Sequence, residues 1–261
     1  MTTVAKHVKL SEEKALEIAV RSCSGLTEFA TCIEIERTVW GSADVDIVPL
    51  PLFVVAAETG GQVLGAFAGD RMIGFTLALP GVRGRKPLLH SHMTAVLHPF
   101  RNKGVARKLK LFQCQEALGR GIDLIEWTFD PLEIKNAHFN FRLGVIVRRF
   151  IPNTYGVTTS PLHGRLPTDR LVAEWRLRSP RVRRAIADKR PAAKARSKEF
   201  TRIRVPADFA RIRSTNPEDA ARLQGEVRQE FEHWLASGYA ATGIDRTDDA
   251  AEYLLEPWAD K

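Results

Sequence analysis

The sequence predicts an α/β (α+β) protein in which strands and helices alternate, closed by a smaller α+β unit. Three observations lead there. Short β-rich apolar runs at 63–68, 72–79, 90–97 and 124–129 are separated by stretches of helical period or by turn residues. The first two of these runs meet at Gly69-Asp70, a strong hairpin signal. Finally, HSHMTAVLHPFRNKGVARKLKLFQCQEALGRG, residues 90–121, carries an apolar strand through a tight basic turn into an amphipathic helix.

In chain order, residues 1–15 form a polar extension and 16–22 a first strand. Phe29, Ile33, Glu36 and Trp40 recur at helical spacing, so a helix covers 26–40 and stops at Gly41. A second helical segment lies within 44–60 and ends at Gly60-Gly61. The hairpin follows, both of its strands apolar at nearly every position and so covered on both faces. Residues 80–87, rich in Gly and Pro, read as a loop whose Arg83, Arg85 and Lys86 are solvated. In the helix after the basic turn, Val105, Leu109 and Phe112 share a face while Arg107, Lys108 and Lys110 lie off it, and Gly119 and Gly121 stop it. Strand 124–129, a short helix at 136–144, strand 145–150 and a closing strand at 170–177 complete a unit spanning 16–178. Residues 179–199 are dense in Arg, Lys and Ala and mark a linker. Beyond it, 200–261 form a small unit: a strand, a helix started by Asn216-Pro217-Glu218-Asp219, and a final hairpin.

Composition narrows the function. A formal net charge of +8 suits a polyanionic partner, be it a phosphorylated cosubstrate, an acidic substrate or nucleic acid. Cys23, Cys32 and Cys114 are three, widely spaced and without a C-x-x-C, which fits a reducing compartment. Residues 1–10 lack the apolar core of a signal peptide, and the longest apolar run, near 50–57, is too short for a bilayer core of about 30 Å. The expectation is a soluble, cytoplasmic protein with no membrane partner.

The turn Arg101-Asn102-Lys103-Gly104-Val105-Ala106 leaves backbone N–H groups unpaired at a helix start, where the dipole also favours a phosphate. Gly104 lets the anion approach closely. This run resembles the R-x-x-G-x-A signature of the GNAT superfamily of acyl-CoA-dependent N-acyltransferases. Leu97-His98-Pro99 resembles that family's V-x-P step, with one residue fewer than usual between Pro99 and Arg101. The segment led by Asn136-Ala137 resembles its N-x-x-A-x-x-x-Y-x-x-x-G-F element in shortened form. With Trp40-Gly41, Asp130-Pro131-Leu132, Pro152-Asn153-Thr154-Tyr155-Gly156 and Leu166-Pro167-Thr168-Asp169-Arg170, the chain from Leu16 onward is similar to a bacterial and archaeal GNAT subgroup.

The resemblance implies a mixed central sheet flanked by helices, with acetyl-CoA or another acyl-CoA, succinyl-CoA included, in the cleft where the fourth and fifth strands diverge. It implies direct transfer to a primary amine of a small molecule such as an amino acid. The backbone amides of Leu97, Asn102, Lys103, Gly104, Val105, Ala106 and Arg107 would hold the donor, with Arg101 and Lys103 adding charge. Asn136 would bond the pantetheine or simply cap its helix. Glu36, on the helix bordering the acceptor cleft, is the substrate candidate.

Attack by an amine requires removal of a proton, and His92 and Glu126 are the candidate bases. His90-x-His92 hints at zinc, but no third ligand is placed and no metal is expected. The family's acid is a tyrosine on the short helix; here 136–144 contains none, Asn140 or Phe141 standing near its place, and Tyr155 or His138 are the substitutes. Two other classes stay open: a nucleic-acid module using the basic stretch 178–213, which is expected to be mere linker, and a CoA-binding regulator without turnover. The acceptor and the oligomeric state, homodimer included, are not written in the sequence.

Overall fold

The computed structural model describes residues 17–41, 47–156, 166–187, 200–247 and 249–259. The polar extension 1–15, Leu16 and residues 188–199 of the basic run lie outside the described residues. The elements follow the expected order: β1 (Ile18–Ser22), α1 (Gly25–Trp40), α2 (Leu50–Glu58), β2 (Gln62–Ala68), β3 (Arg71–Arg83), β4 (Lys86–Val96), α3 (Val105–Gly119), β5 (Leu124–Phe129), α4 (Ile134–Arg142) and β6 (Ile146–Ile151). Then come β7 (Arg170–Arg176), α5 (Pro180–Ile186), β8 (Thr201–Pro206), α6 (Phe209–Thr215), α7 (Pro217–Ala236), β9 (Tyr239–Arg246) and β10 (Ala250–Pro257). Gly41 caps α1 in the left-handed conformation, and the Asn216 side chain accepts from the Asp219 amide at the start of α7.

One mixed sheet of ten strands runs β1-β2-β3-β4-β5-β7-β6-β9-β10-β8. The final unit is therefore continuous with the first: β9 pairs with β6 at Val147 and Ala241, and Phe231 and Tyr253 share a core with Phe129, Phe141 and Trp175. On the α1 and α2 side the sheet buries Phe53, Phe75 and Leu77; on the α3 side it buries Leu64, Ile73 and Leu109.

Two readings are corrected here. Residues 80–87 are not a free loop: β3 runs to Arg83 and turns at Gly84-Arg85 into β4, so the hairpin carries Pro80 within a strand. Arg83 is not simply solvated, since its guanidinium is paired with Glu126.

Candidate active site

β4 and β5 are the parallel neighbours on which the site is built. They pair only at Leu89 with Ile125 and His90 with Glu126, and beyond that point the pairing ends. Opposite β3, the register of β4 slips between Ser91 and Met93, leaving His92 as a bulged residue. A bulge bends its strand and terminates pairing, so the two strands separate from Ser91 and Trp127 onward.

The turn at the far end of β4 is built for close backbone approach. His98–Phe100 form a single 3-10 turn, which takes up the missing residue after Pro99. Asn102 and Gly104 both have positive φ, 61° and 80°, and Gly104 stands at the N-cap of α3 with nothing within 4 Å of where a Cβ would sit. The first intrahelical amide is that of Lys108, bonded to the Gly104 carbonyl at 3.0 Å. The N–H groups of Val105 and Ala106 precede it.

The Leu97 amide is not available to a ligand: it donates to the Ile73 carbonyl of β3 at 2.9 Å, and the Leu97 carbonyl accepts from Phe100. Since neighbouring residues in a strand alternate the direction of their backbone groups, Val96 turns its own toward the gap. Its carbonyl accepts Arg101 Nε at 3.1 Å. The strand edge facing the gap is thus offset by one residue from the sequence expectation, and Arg101 is folded onto it. Arg107 reaches the Ala185 and Ile186 carbonyls, tying α3 to α5.

The gap has two unlike faces. On the α1 side, His90 and Glu126 are in register, the period of two adds Thr128 on β5, and the bulged His92 lies beside His90. The His90 and His92 rings lie 6.1 Å apart; His92 is exposed, whereas the half-buried His90 imidazole is held below the ordinary histidine range by burial and by its neighbours His92 and Lys110. No group of three potential ligands converges on them among the described residues. Tyr155, half exposed, shares a hydrogen bond of 3.0 Å with the Thr128 hydroxyl, across the gap from the strand that carries His92.

Glu126 is buried and ion-paired with Arg83 and, at 3.0 Å, with Arg149; beside it Glu174 pairs with Arg148 at 2.8 Å and Arg176 at 3.3 Å. Both Glu126 oxygens are thus already engaged by guanidinium, Oε1 by Arg83 and Oε2 by Arg149. These groups border a shallow cavity of about 290 Å³ lined by Arg83, Arg148, Arg149 and Glu174.

On the α3 side, Ser91 and Trp127 open the gap, and here the sequence reading is overturned. Lys110 does not lie off the buried face; it is 4 % exposed, its Nζ donating to Ser91 Oγ at 2.8 Å and Gln113 Oε1 at 3.1 Å and standing 4.0 Å from the centre of the Trp127 ring. Burial lowers its ammonium to about 7. Trp127 Nε1 donates to Asn140 Oδ1 at 3.2 Å. The amide nitrogens of Gln113 and Asn140 are buried without a hydrogen-bond partner among the described residues.

Asn136 is exposed, the third residue of α4 and not its head; Glu133 holds the cap position, so Asn136 does not cap. Glu36 is buried, one oxygen accepting the Val48 amide at 3.1 Å, the other without a partner among the described residues, and burial raises its pKa. The three cysteines are free and buried, and burial pushes the Cys114 thiol to about 11.

No protein-family model matches the chain, and no curated protein matches it. Among solved structures it is similar to the ribosomal-protein-S18-alanine N-acetyltransferase of Escherichia coli, at 13% identity over 62% of this chain and 94% of that one, with a TM-score of 0.49. It is similar to Arabidopsis thaliana Naa50 in complex with a bisubstrate analogue, at 12% identity over 60% and 97%, with a TM-score of 0.49. A third is a GNAT family acetyltransferase from Elizabethkingia anophelis with acetyl-CoA bound, at 12% identity over 61% and 97%, with a TM-score of 0.47. Identity this low fixes no activity for the present chain.

The C-terminal helix reaches the site through Tyr155. The turn 152–156 is bonded to 168–169 by Thr154 N to the Thr168 carbonyl, Tyr155 N to Thr168 Oγ1 and Asn153 N to Asp169 Oδ1, each within 2.9 Å. Arg228 of α7 clamps the buried Asp169 with two bonds of 2.9 and 2.8 Å, and Gln224 donates to the Pro167 carbonyl at 2.7 Å. The Pro152–Gly156 and Leu166–Arg170 motifs are therefore two sides of one support for the tyrosine. Much of the basic charge in 178–213 is likewise engaged within the chain: Arg178 with Asp123, Arg202 with Glu252, Arg204 with Asp249, Arg211 with Asp208 and Arg213 with Glu133.

Proposed function

We propose that the protein is an acyl-CoA-dependent N-acyltransferase, carrying an acetyl or succinyl group from CoA to a primary amine. The observation that carries this is the positive-φ turn at Asn102–Gly104, with its unspent helix amides, opening directly into the gap between β4 and β5. The turn supplies a diphosphate seat, and the gap is a slot of strand width in which an extended pantetheine arm can bond Val96. Asn102, Lys103, Gly104, Val105, Ala106 and Arg107 contribute backbone to that seat, and Arg101 and Lys103 add positive charge. The Leu97 amide drops out of the donor site, and the exposed Asn136, which caps nothing, is left to the pantetheine arm.

The acceptor enters from the opposite face, over His92, Thr128 and Tyr155. His92 is the base: its exposed ring lies beside the gap where an acceptor can reach it, and Glu126, already held by two arginines, organises the entrance instead. Tyr155 positions the amine or bonds the developing oxyanion. The arginine-rich border favours an acceptor that also carries a carboxylate, so amino acids should outrank polyamines. Glu36 adds at most a distant influence through α1.

The test has two arms. Calorimetric titration with CoA is expected to show binding by the wild type and by Gly104→Asn, which tolerates positive φ, and a loss of about 100-fold, ~2.7 kcal/mol, in Gly104→Asp. Thiol release from acetyl-CoA and succinyl-CoA is then followed with amino acids and polyamines. Undiminished binding by Gly104→Asp would move the donor elsewhere; CoA binding with no turnover on any amine would favour a regulatory CoA-binding role.

A further inference from the structure

The α3 side of the gap holds polar groups that nothing in the fold requires. Ser91 and Trp127 are the residues at which β4 and β5 part, and both face α3 because His90 and Glu126 face the other way. Lys110 bridges them. Both of its hydrogen-bond partners, Ser91 Oγ and Gln113 Oε1, are neutral. A buried ammonium without a carboxylate is costly, and so are the two buried amide nitrogens, Gln113 Nε2 and Asn140 Nδ2, that find no acceptor among the described residues. Donors left over around the apex of an opened strand pair call for a guest that brings acceptor atoms. A thioester is such a guest, with a sulfur and an acyl oxygen and, further along its arm, amide carbonyls.

We propose that Lys110 is the catalytic acid of the transfer, giving its proton to the departing CoA sulfur directly or through the Ser91 hydroxyl. The proposal rests on the acyltransferase reading. In the step, the amine nitrogen bonds the acyl carbon, the C–S bond breaks with its electron pair going to sulfur, and sulfur takes a proton from Nζ, which is left a neutral amine. The proton shed by the new amide nitrogen passes to His92 and solvent, and Lys110 is recharged from solvent. The products are an amide and free CoA thiol. Asn140 anchors Trp127 under the ammonium, in the region where the family's tyrosine would stand, so the missing phenol is answered from a different helix. An ammonium poised near neutrality is matched to a thiol whose ordinary pKa is about 8.5. The charged and titratable groups on β4, β5 and α3 around it are Lys86, His90 and His92, then Glu126, then Arg107, Lys108, Cys114 and Glu116; His90 is held down in part by Lys110.

The test reads the thiol of bound CoA by its ultraviolet thiolate absorbance across a pH titration, with desulfo-CoA complexes as blanks. In the wild type the bound thiol should titrate at least about tenfold more readily than free CoA, because the ammonium stabilises the thiolate. In Lys110→Met it should titrate like free CoA or less readily, while affinity for desulfo-CoA stays within about threefold of wild type. Should Lys110→Met fail to fold, as judged by circular dichroism, Lys110→Gln and Ser91→Ala carry the comparison. A bound thiol that titrates identically in wild type and variants overturns the role of Lys110 while leaving acyl transfer in place. No binding of CoA at all overturns both.

Discussion

The two faces of the β4–β5 gap treat charge in opposite ways. On the α1 side the two buried carboxylates that border the gap are matched by guanidinium, Glu126 by Arg83 and Arg149, Glu174 by Arg148 and Arg176. On the α3 side an ammonium and two amides are buried with nothing anionic bonded to them. The first arrangement is self-sufficient and its water-exposed arginines tolerate change; the second is incomplete and points to something that arrives from outside. Compensation is thus the mark of scaffold here, and its lack the mark of chemistry.

The sharpest way to break that comparison is through the support of the α1 face. Asp169→Ala leaves Arg228 and the Asn153 amide without their acceptor, and should cost about 3–5 kcal/mol, read as a lower denaturant midpoint, because one partner of a buried pair is stranded. Glu126→Gln should cost less, about 1–2 kcal/mol, since its arginines are 46% and 42% exposed and regain water. If Glu126 were instead the base, that variant would also abolish turnover on every amine.

The α3 face predicts the reverse sign. Lys110 has its pKa lowered in the fold to about 7 from an ordinary 10.5, so between those values the unfolded chain binds the extra proton. Stability should therefore climb as pH rises from about 7 to about 10, and be lowest, in this respect, below 7 where a charge is buried. Lys110→Met should raise the melting temperature near pH 6, by roughly 2–4 °C for each kcal/mol relieved, and flatten the climb. A melting temperature that falls at pH 6 would mean the ammonium is paired after all. The smallest effect expected is at the thiols: Cys23, Cys32 and Cys114, all buried, should react with a disulfide reagent only as fast as the protein opens, and rapid labelling of the native protein would count against this packing.

Much of the architecture was legible because apolar periodicity and glycine stops are local signals: the limits of α1, β5 and α7 and the Gly69 hairpin follow from them. The misreadings were non-local. Arg83 looks solvated until β3 and β4 extend the hairpin and bring it to Glu126. Lys110 looked exposed because Val105, Leu109 and Phe112 suggested a stripe, whereas the buried face of α3 is Val105, Leu109, Lys110, Gln113, Cys114 and Ala117, rotated toward small residues. The signal was present in Cys114 and Ala117, four and seven residues past Lys110, but small side chains speak softly beside a phenylalanine. Leu97 was misplaced by one position because which backbone edge faces the gap depends on the partner strand, and the turn at Gly104 was readable because glycine announces its own conformation.

Finally, the ten strands form a single hydrogen-bonded sheet, with the last three joined to it through Val147 and Ala241. The last strands share their buried cluster with β5, α4 and β7, so the final unit should melt with the rest and calorimetry should record one endotherm and not two. Cutting the chain after the basic run would then yield no smaller folded unit, only a raw edge at β6 ready to stick to its neighbours.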